Sequence, residues 1–127
     1  MFLNFINTNK KERSILEDAF WFAKMELLPK HKNLEIDVKL EKDLGIDGAV
    51  IELDNREFEV SIKKGLSFED LITCVFHEFK HIEQHIRKTY DVFGLDDTPY
   101  LERPYEKDAF KAQEKMLKKY KKSAFTG

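Results

Sequence analysis

The spacing of apolar residues changes period twice along this chain, and each change limits the folds open to it. From about Lys10 to Leu28, Ile15, Leu16, Ala19, Phe20, Ala23 and Leu27 recur every three or four residues. That is the repeat of one apolar helix face, and Pro29 ends it because a proline ring blocks the preceding turn. Strict alternation follows. Leu34, Ile36, Val38 and Leu40 oppose Glu35, Asp37 and Lys39; Ala49, Ile51 and Leu53 repeat the pattern, as do Phe58, Val60 and Ile62. These read as three half-buried strands. Asp54 and Asn55 separate the last two and tolerate left-handed backbone angles, which predicts a tight hairpin. The run Leu44-Gly45-Ile46-Asp47-Gly48 punctuates the first connection. A small antiparallel sheet of three strands results, and it needs a helical layer on its apolar face.

Helical period then returns. Ser67 with Asp70 three residues on has the form of a capping box. Beyond it Leu71, Ile72, Val75, Phe76, Phe79, Ile82 and Ile86 give a broad apolar face to a helix reaching about Thr89. Tyr90 to Thr98, with Gly94, Asp96 and Asp97, reads as a loop. Pro99 or Pro104 suits the first turn of a last helix, where the missing amide costs nothing. Ala109, Ala112, Met116 and Tyr120 form that helix's inward stripe. The expected fold class is α+β, a single domain over residues 1–127: an N-terminal helix, a small sheet, a long helix and a C-terminal helix.

Composition narrows the function classes. The 127 residues suffice for one core, and 36% charged residues suit a soluble, heavily charged surface. Formal net charge is −2, so no global field draws the chain to nucleic acid or to an anionic membrane. Cys74 is the only cysteine, which excludes an internal disulfide and a multi-thiolate zinc site and fits a reducing compartment. Met1 to Ile6 is too short for a signal-peptide core and has no basic residue ahead of it. No apolar run is long enough to span a bilayer. The expectation is a cytoplasmic protein without a membrane partner.

Chemistry concentrates in His77-Glu78-Phe79-Lys80-His81, an H-E-x-x-H motif in the middle of the long helix. Four residues advance a helix by about 400°, so the two imidazoles lie about 40° apart on one face, one turn apart. Both rings can then reach one tetrahedral Zn2+ ion. Glu78 stands beside that position, where a carboxylate can take a proton from water at the metal. A catalytic zinc site ordinarily has a third protein ligand. His85 is nearest in sequence but lies two turns beyond His77, which reads as rim. Glu106, 25 positions after His81 in Pro104-Tyr105-Glu106-Lys107-Asp108-Ala109, is the better candidate. A returning helix can bring its carboxylate over the histidine pair, and small Ala109 lets the helices approach closely.

HEFKH followed by Glu106 and Ala109 in an E-x-x-A pattern resembles the gluzincin metallopeptidases, and the short layout resembles their compact minigluzincin type. The resemblance implies a zincin-like domain with His77, His81 and Glu106 as zinc ligands and Glu78 as general base and acid. It implies a peptide or protein substrate laid antiparallel to an edge strand above the site, for which Phe58 to Lys63 is the candidate. Tyr105, Tyr100 and His85 are candidate donors to the oxyanion, and Tyr105, beside the proposed ligand, is taken as the catalytic one. Asp108 is a candidate to orient a ligand histidine, and His31 reads as exposed. Lys80 and Glu83 depart from the family's pattern, which prefers uncharged residues there; both are expected to project to solvent.

Competing readings are weaker in the residues. A metzincin needs histidine at position 87 and glycine at 84, where Arg87 and Gln84 stand. The glycine-rich and cysteine-bearing motifs of peptide deformylase are absent. SprT-like proteases, which act on DNA-bound proteins, share the helix-plus-HExxH plan, and Lys111 to Lys122 holds six lysines. Glu114 interrupts that run, and there is no aromatic-interleaved groove or cysteine zinc ribbon, so it reads as a solvated face and nucleic acid is not expected as a partner. An inactive binding or regulatory module on the same fold is the remaining alternative.

Overall fold

The computed structural model describes residues 1–90 and 98–126, the last three of these by backbone alone. The predicted loop from Tyr90 to Thr98 thus lies almost wholly outside the described residues. In chain order the elements are β1 (Phe2–Ile6), α1 (Lys10–Leu27), β2 (Glu35–Glu41), β3 (Gly48–Asp54), β4 (Glu57–Lys63), α2 (Phe68–Ile86), a 3-10 turn (Tyr100–Glu102) and α3 (Pro104–Thr126).

The helices start where local chemistry supplies caps. Asn9 and Glu12 form a reciprocal capping box on α1, each side chain accepting from the other's amide (2.7 and 2.9 Å). At α2 it is the serine half of the predicted box that forms, Ser67 Oγ accepting from the Asp70 amide (3.2 Å). Pro104 rather than Pro99 opens α3; Pro99 instead precedes the 3-10 turn.

The sheet departs from expectation. It has four strands in the order β1-β2-β4-β3, and only β3/β4 is antiparallel. β1 pairs parallel with β2, and β2 parallel with β4. The physical reason is the connection: α1 lies between β1 and β2, and a crossover of that kind returns the chain in the same direction. Because β3 takes the far edge, β4 is flanked on both sides, which removes Phe58 to Lys63 as an edge strand; the edges are β1 and β3. The β3–β4 turn is Asn55-Arg56, and the left-handed residue is Arg56 (φ 65°) rather than Asp54 or Asn55.

β3 is also reversed in phase. Its register sets Val50 against Val60 and Gly48 against Ile62, so these residues share the helix-facing side. Ile51 and Leu53 turn outward and are more than half exposed, against the expectation that they are buried. Gly48 decides this. A Cβ there would sit 2.6 Å from Cys74 Sγ and 3.2 Å from Glu78 Cγ, so this strand end packs on α2 only through glycine.

α2 is the pivot. It packs on α1, on α3 and on β3 and β4. Phe76, Phe79, Ile72, Val75 and Ile82 are almost fully buried in one cluster with Leu16 and Phe20 of α1 and the inward residues of β2 and β4. Phe79 meets Phe20 edge-on at 6.1 Å. Each such ring contributes roughly 2–3 kcal/mol through burial, which fixes α2 firmly enough to hold the polar side chains on its other face. No described helix is long and apolar enough to cross a membrane.

Candidate metal centre

The face of α2 turned from the apolar cluster carries His77, Glu78 and His81, with Glu78 4% and His81 6% exposed. Helical spacing brings the two Nε2 atoms to 3.2 Å. Ligand-type atoms of His77, Glu78 and His81 all lie within 4.8 Å of one another. The first turn of α3 adds Glu106, fully buried, with Oε1 2.5 Å from His81 Nε2 and 3.4 Å from His77 Nε2. Ala109, one turn further along α3, is fully buried as well. The four residues singled out from the sequence therefore converge.

Hydrogen bonds decide which protons this cluster carries. Gln84 donates from Nε2 to the Tyr105 carbonyl (2.9 Å) and to Asp108 Oδ2 (2.9 Å). A carbonyl only accepts, so the orientation of the Gln84 amide is fixed, and its Oε1 faces His81 Nδ1 at 2.7 Å. His81 must therefore donate from Nδ1, which in the neutral ring leaves Nε2 with its lone pair. Gln113 Oε1 lies 2.7 Å from His77 Nδ1, the contact that a ring protonated at Nδ1 makes. In neutral form the rings thus aim two lone pairs at each other and at a carboxylate. Among the described residues, neither Glu106 oxygen nor Glu78 Oε2, all buried, has a well-aligned hydrogen bond. Such an arrangement costs energy unless a cation or extra protons occupy it.

Ionisation reflects that shortage of positive charge. Burial pushes Glu78 up to about 6 against the pull of His81 and His77, with Glu106 adding to the rise. Burial works against ionisation of Glu106 too, but the imidazoles and the Tyr100 hydroxyl outweigh it and hold that carboxyl well below its usual range. For His81, burial opposes the charged form, yet Glu106, Gln84 and Glu78 raise it overall.

Two cavities flank Glu78. One of about 530 Å³ is lined by Ile46, Thr73, His77, Tyr100 and Phe110 among others. The second, about 180 Å³, is lined by Val50, His81, His85, Tyr90 and Glu106. Glu78, Gly48 and Tyr100 border both. Tyr105, singled out from the sequence as catalytic, borders neither. Its ring packs near His81 (5.9 Å) and its hydroxyl accepts from Arg103 (3.1 Å). Tyr100 borders both cavities, and Tyr90 borders the smaller one.

This chain belongs to the DUF3920 family. Its match, a protein family of unknown function, covers residues 47–124, more than half the chain. No curated protein and no solved structure matches it. The DUF3920 span begins beside Gly48 and runs through α3, so the whole centre falls inside it while β1, α1 and β2 fall outside.

The remaining site candidates separate. His85 lies on the rim as expected, stacked on Tyr90 (4.3 Å) and 4.0 Å from Glu52; burial lowers its pKa against the opposing pull of Glu52. His31 is half-buried and pairs with Arg56 (3.1 Å). Lys80 and Glu83 do not project to solvent: they pair with each other, Lys80 reaches Asp108 (3.7 Å), and Glu83 reaches Arg87 (3.3 Å). The off-pattern charges thus neutralise each other beside His81. Asp108 bears on His81 only through Gln84. Of the C-terminal lysines, Lys119 and Lys121 pair with Glu26 and Glu69. Cys74 is buried, its thiol donating toward the Asp47 carbonyl (3.4 Å), and burial pushes its pKa far up, away from thiolate chemistry.

Gln84 and Gln113 were not singled out from the sequence. The available signal is positional: Gln84 stands three residues after His81, and Gln113 falls seven after Glu106 on the same face of α3.

Proposed function

We propose that this protein is a zinc-dependent peptidase with a zincin-like centre. His77, His81 and Glu106 would hold Zn2+, and Glu78 would act as general base and acid in hydrolysis of a peptide bond. The observation that carries the reading is the convergence of His77 Nε2 and His81 Nε2 on the buried Glu106 carboxylate, beside a second buried carboxylate on a cavity wall. A cluster of two nitrogens and one carboxylate oxygen suits a tetrahedral dication with one position left open. When bound, zinc supplies Lewis acidity toward a carbonyl oxygen and lowers the pKa of water.

The chain's own residues do the rest. Glu78, raised to about 6 by burial, holds or releases a proton near neutral pH, as a general base requires. Tyr100, bordering both cavities, is the hydroxyl positioned to donate to a developing oxyanion. β3 is the edge strand at the cavities, and an extended substrate would add to it as a further strand. The larger cavity, walled by Ile46 and Phe110, would take an apolar side chain of that peptide.

The test pairs metal content with cleavage of an unfolded protein substrate. Wild-type protein is expected to carry one zinc and to cleave; Glu78→Gln is expected to keep zinc and lose cleavage, and Glu106→Ala to lose tight zinc. Equal cleavage by Glu78→Gln would sink the mechanism, and unchanged tight zinc in Glu106→Ala would remove the third ligand.

A further inference from the structure

We infer that Gln84 and Gln113 are positioning residues that set the ring tautomers of His81 and His77, presenting two unprotonated Nε2 atoms to a divalent cation, and that Gln84 ties this setting to the helix that carries Glu106. The inference deepens the metal reading above and rests on it. Its ground is a chain of fixed donors and acceptors. The Tyr105 carbonyl and Asp108 carboxylate take both protons of the Gln84 amide (2.9 Å each), so only its oxygen is left for His81 Nδ1 (2.7 Å). Gln84 is 2% exposed, so water cannot substitute for these partners. Tyr105 immediately precedes Glu106 on α3. One amide therefore holds a histidine of α2 and the backbone of the turn that delivers the carboxylate.

Gln113 works differently. It is half-buried, and among the described residues its amide nitrogen reaches only Glu114 Oε1, at 3.5 Å. It orients His77 from the cavity wall without locking a second element. Both orienting groups are neutral amides, although carboxylates commonly fill this role. Glu78 and Glu106 already bring two carboxyls to the cluster, and a third or fourth anion would raise the repulsion that the dication has to offset.

The two glutamines therefore differ in what can replace them. Glutamate at 113 still accepts from His77 Nδ1. Glutamate at 84 loses both donors and sets a carboxylate against the Tyr105 carbonyl and Asp108. The experiment reads tautomers directly, by long-range 1H–15N correlation of the histidine rings in metal-free protein at about pH 8.5, where unperturbed rings are neutral. Zinc affinity is then measured by competition with a chromophoric chelator. Wild-type His77 and His81 are expected to be Nδ1-protonated. Gln84→Leu and Gln113→Leu should each release their own histidine to a mixture of tautomers and weaken zinc ten- to a hundredfold, the range such orienting groups show. Gln113→Glu should restore affinity and Gln84→Glu should not.

Nε2-protonated rings in the wild type, or unchanged tautomers in the leucine variants, would overturn the inference. So would rescue by Gln84→Glu, which would remove the tie to α3. Should Gln84→Leu fail to fold, Gln113→Leu at its half-exposed position decides the tautomer claim, and Asp108→Leu, which removes the acceptor of one Gln84 proton, decides the tie. Loss of zinc affinity in Asp108→Leu with folding intact supports it, and wild-type affinity overturns it. A wild-type chain that takes up no zinc would end the peptidase reading, while the tautomers still judge the role of the two amides.

Discussion

α2 buries two faces, and they are opposites. One packs Ile72, Val75, Phe76, Phe79 and Ile82 against α1 and the sheet; the other buries Glu78, His81 and Gln84 and keeps His77 mostly covered. Apolar burial stabilises in any arrangement that excludes water, so the first face tolerates repacking. The second face is stable only if each lone pair and charge finds its partner. A single helix thus holds the fold together on one side and, on the other, carries groups whose buried charge the proposed cation would offset. The difference shows why the polar face needs the apolar one: its donors and acceptors must stay placed to within tenths of an ångström.

Substituting one residue on each face separates the two most widely. Glu78→Gln is expected to lower cleavage by about 10²- to 10⁴-fold, the usual range for a general base, with zinc retained; steady-state kinetics beside metal analysis measures it. Phe79→Ala is expected to cost roughly 3–5 kcal/mol of stability, read by chemical denaturation, with zinc affinity unchanged in whatever fraction stays folded. Should Phe79→Ala abolish zinc binding in folded protein, the two faces are not separable and the comparison fails.

The two faces also differ in how legible they are in sequence. Helix α2 and its apolar stripe follow from three- and four-residue spacing, and His77, Glu78 and His81 from a motif whose geometry is that same spacing. Glu106 was found because a ligand role predicts a carboxylate on a returning helix. β1 escaped notice because only Leu3 and Phe5 turn inward, and they are only half-buried; five residues with two inward positions give little alternation. The phase of β3 was misread because Ile51 and Leu53 alternate correctly for either face. Gly48 settles the matter through contacts with Cys74 and Glu78, which no local pattern contains. Strand order was hidden for the same reason, since parallel pairing joins segments far apart in the chain. Gln84 and Gln113 illustrate the limit at the site: an amide gains meaning only from what it touches, here across α2 and α3.

Acid–base linkage gives a smaller but sharper contrast. Folding raises Glu78 from 4.5 to about 6, so the folded metal-free protein binds this proton more tightly than the unfolded chain does. The stability it adds is complete below about pH 4.5 and is lost as pH rises through about 6. The shift corresponds to about 2 kcal/mol. His81, also raised, acts in the same direction at higher pH. Glu106 is lowered, so its contribution is present above 4.5 and falls away on further acidification. Between pH 5 and 8, metal-free Glu78→Gln should therefore gain on the wild type by roughly 1 kcal/mol, the part of the shift that falls in that range, while Phe79→Ala follows the wild-type pH dependence at a constant offset. Thermal unfolding in chelator across that range checks both, and parallel curves for Glu78→Gln and wild type would show that Glu78 is not a buried, proton-retaining group.

The smallest effect tests the helix that both faces share. Ser67 caps α2 ten residues before His77, about 15 Å along the axis, and Ser67→Ala should cost about 1 kcal/mol. That loss falls on the whole helix, so it should add to the loss from Phe79→Ala, the two sites being well separated. Zinc affinity of the folded protein should not change, because the bonds holding His77, His81 and Glu106 all lie beyond the first turn. A drop in affinity that tracks the loss of this cap would mean that the metal centre senses α2 as a rigid rod. Its polar face would then depend on the helix's overall stability as well as on the local contacts of Gln84 and Gln113.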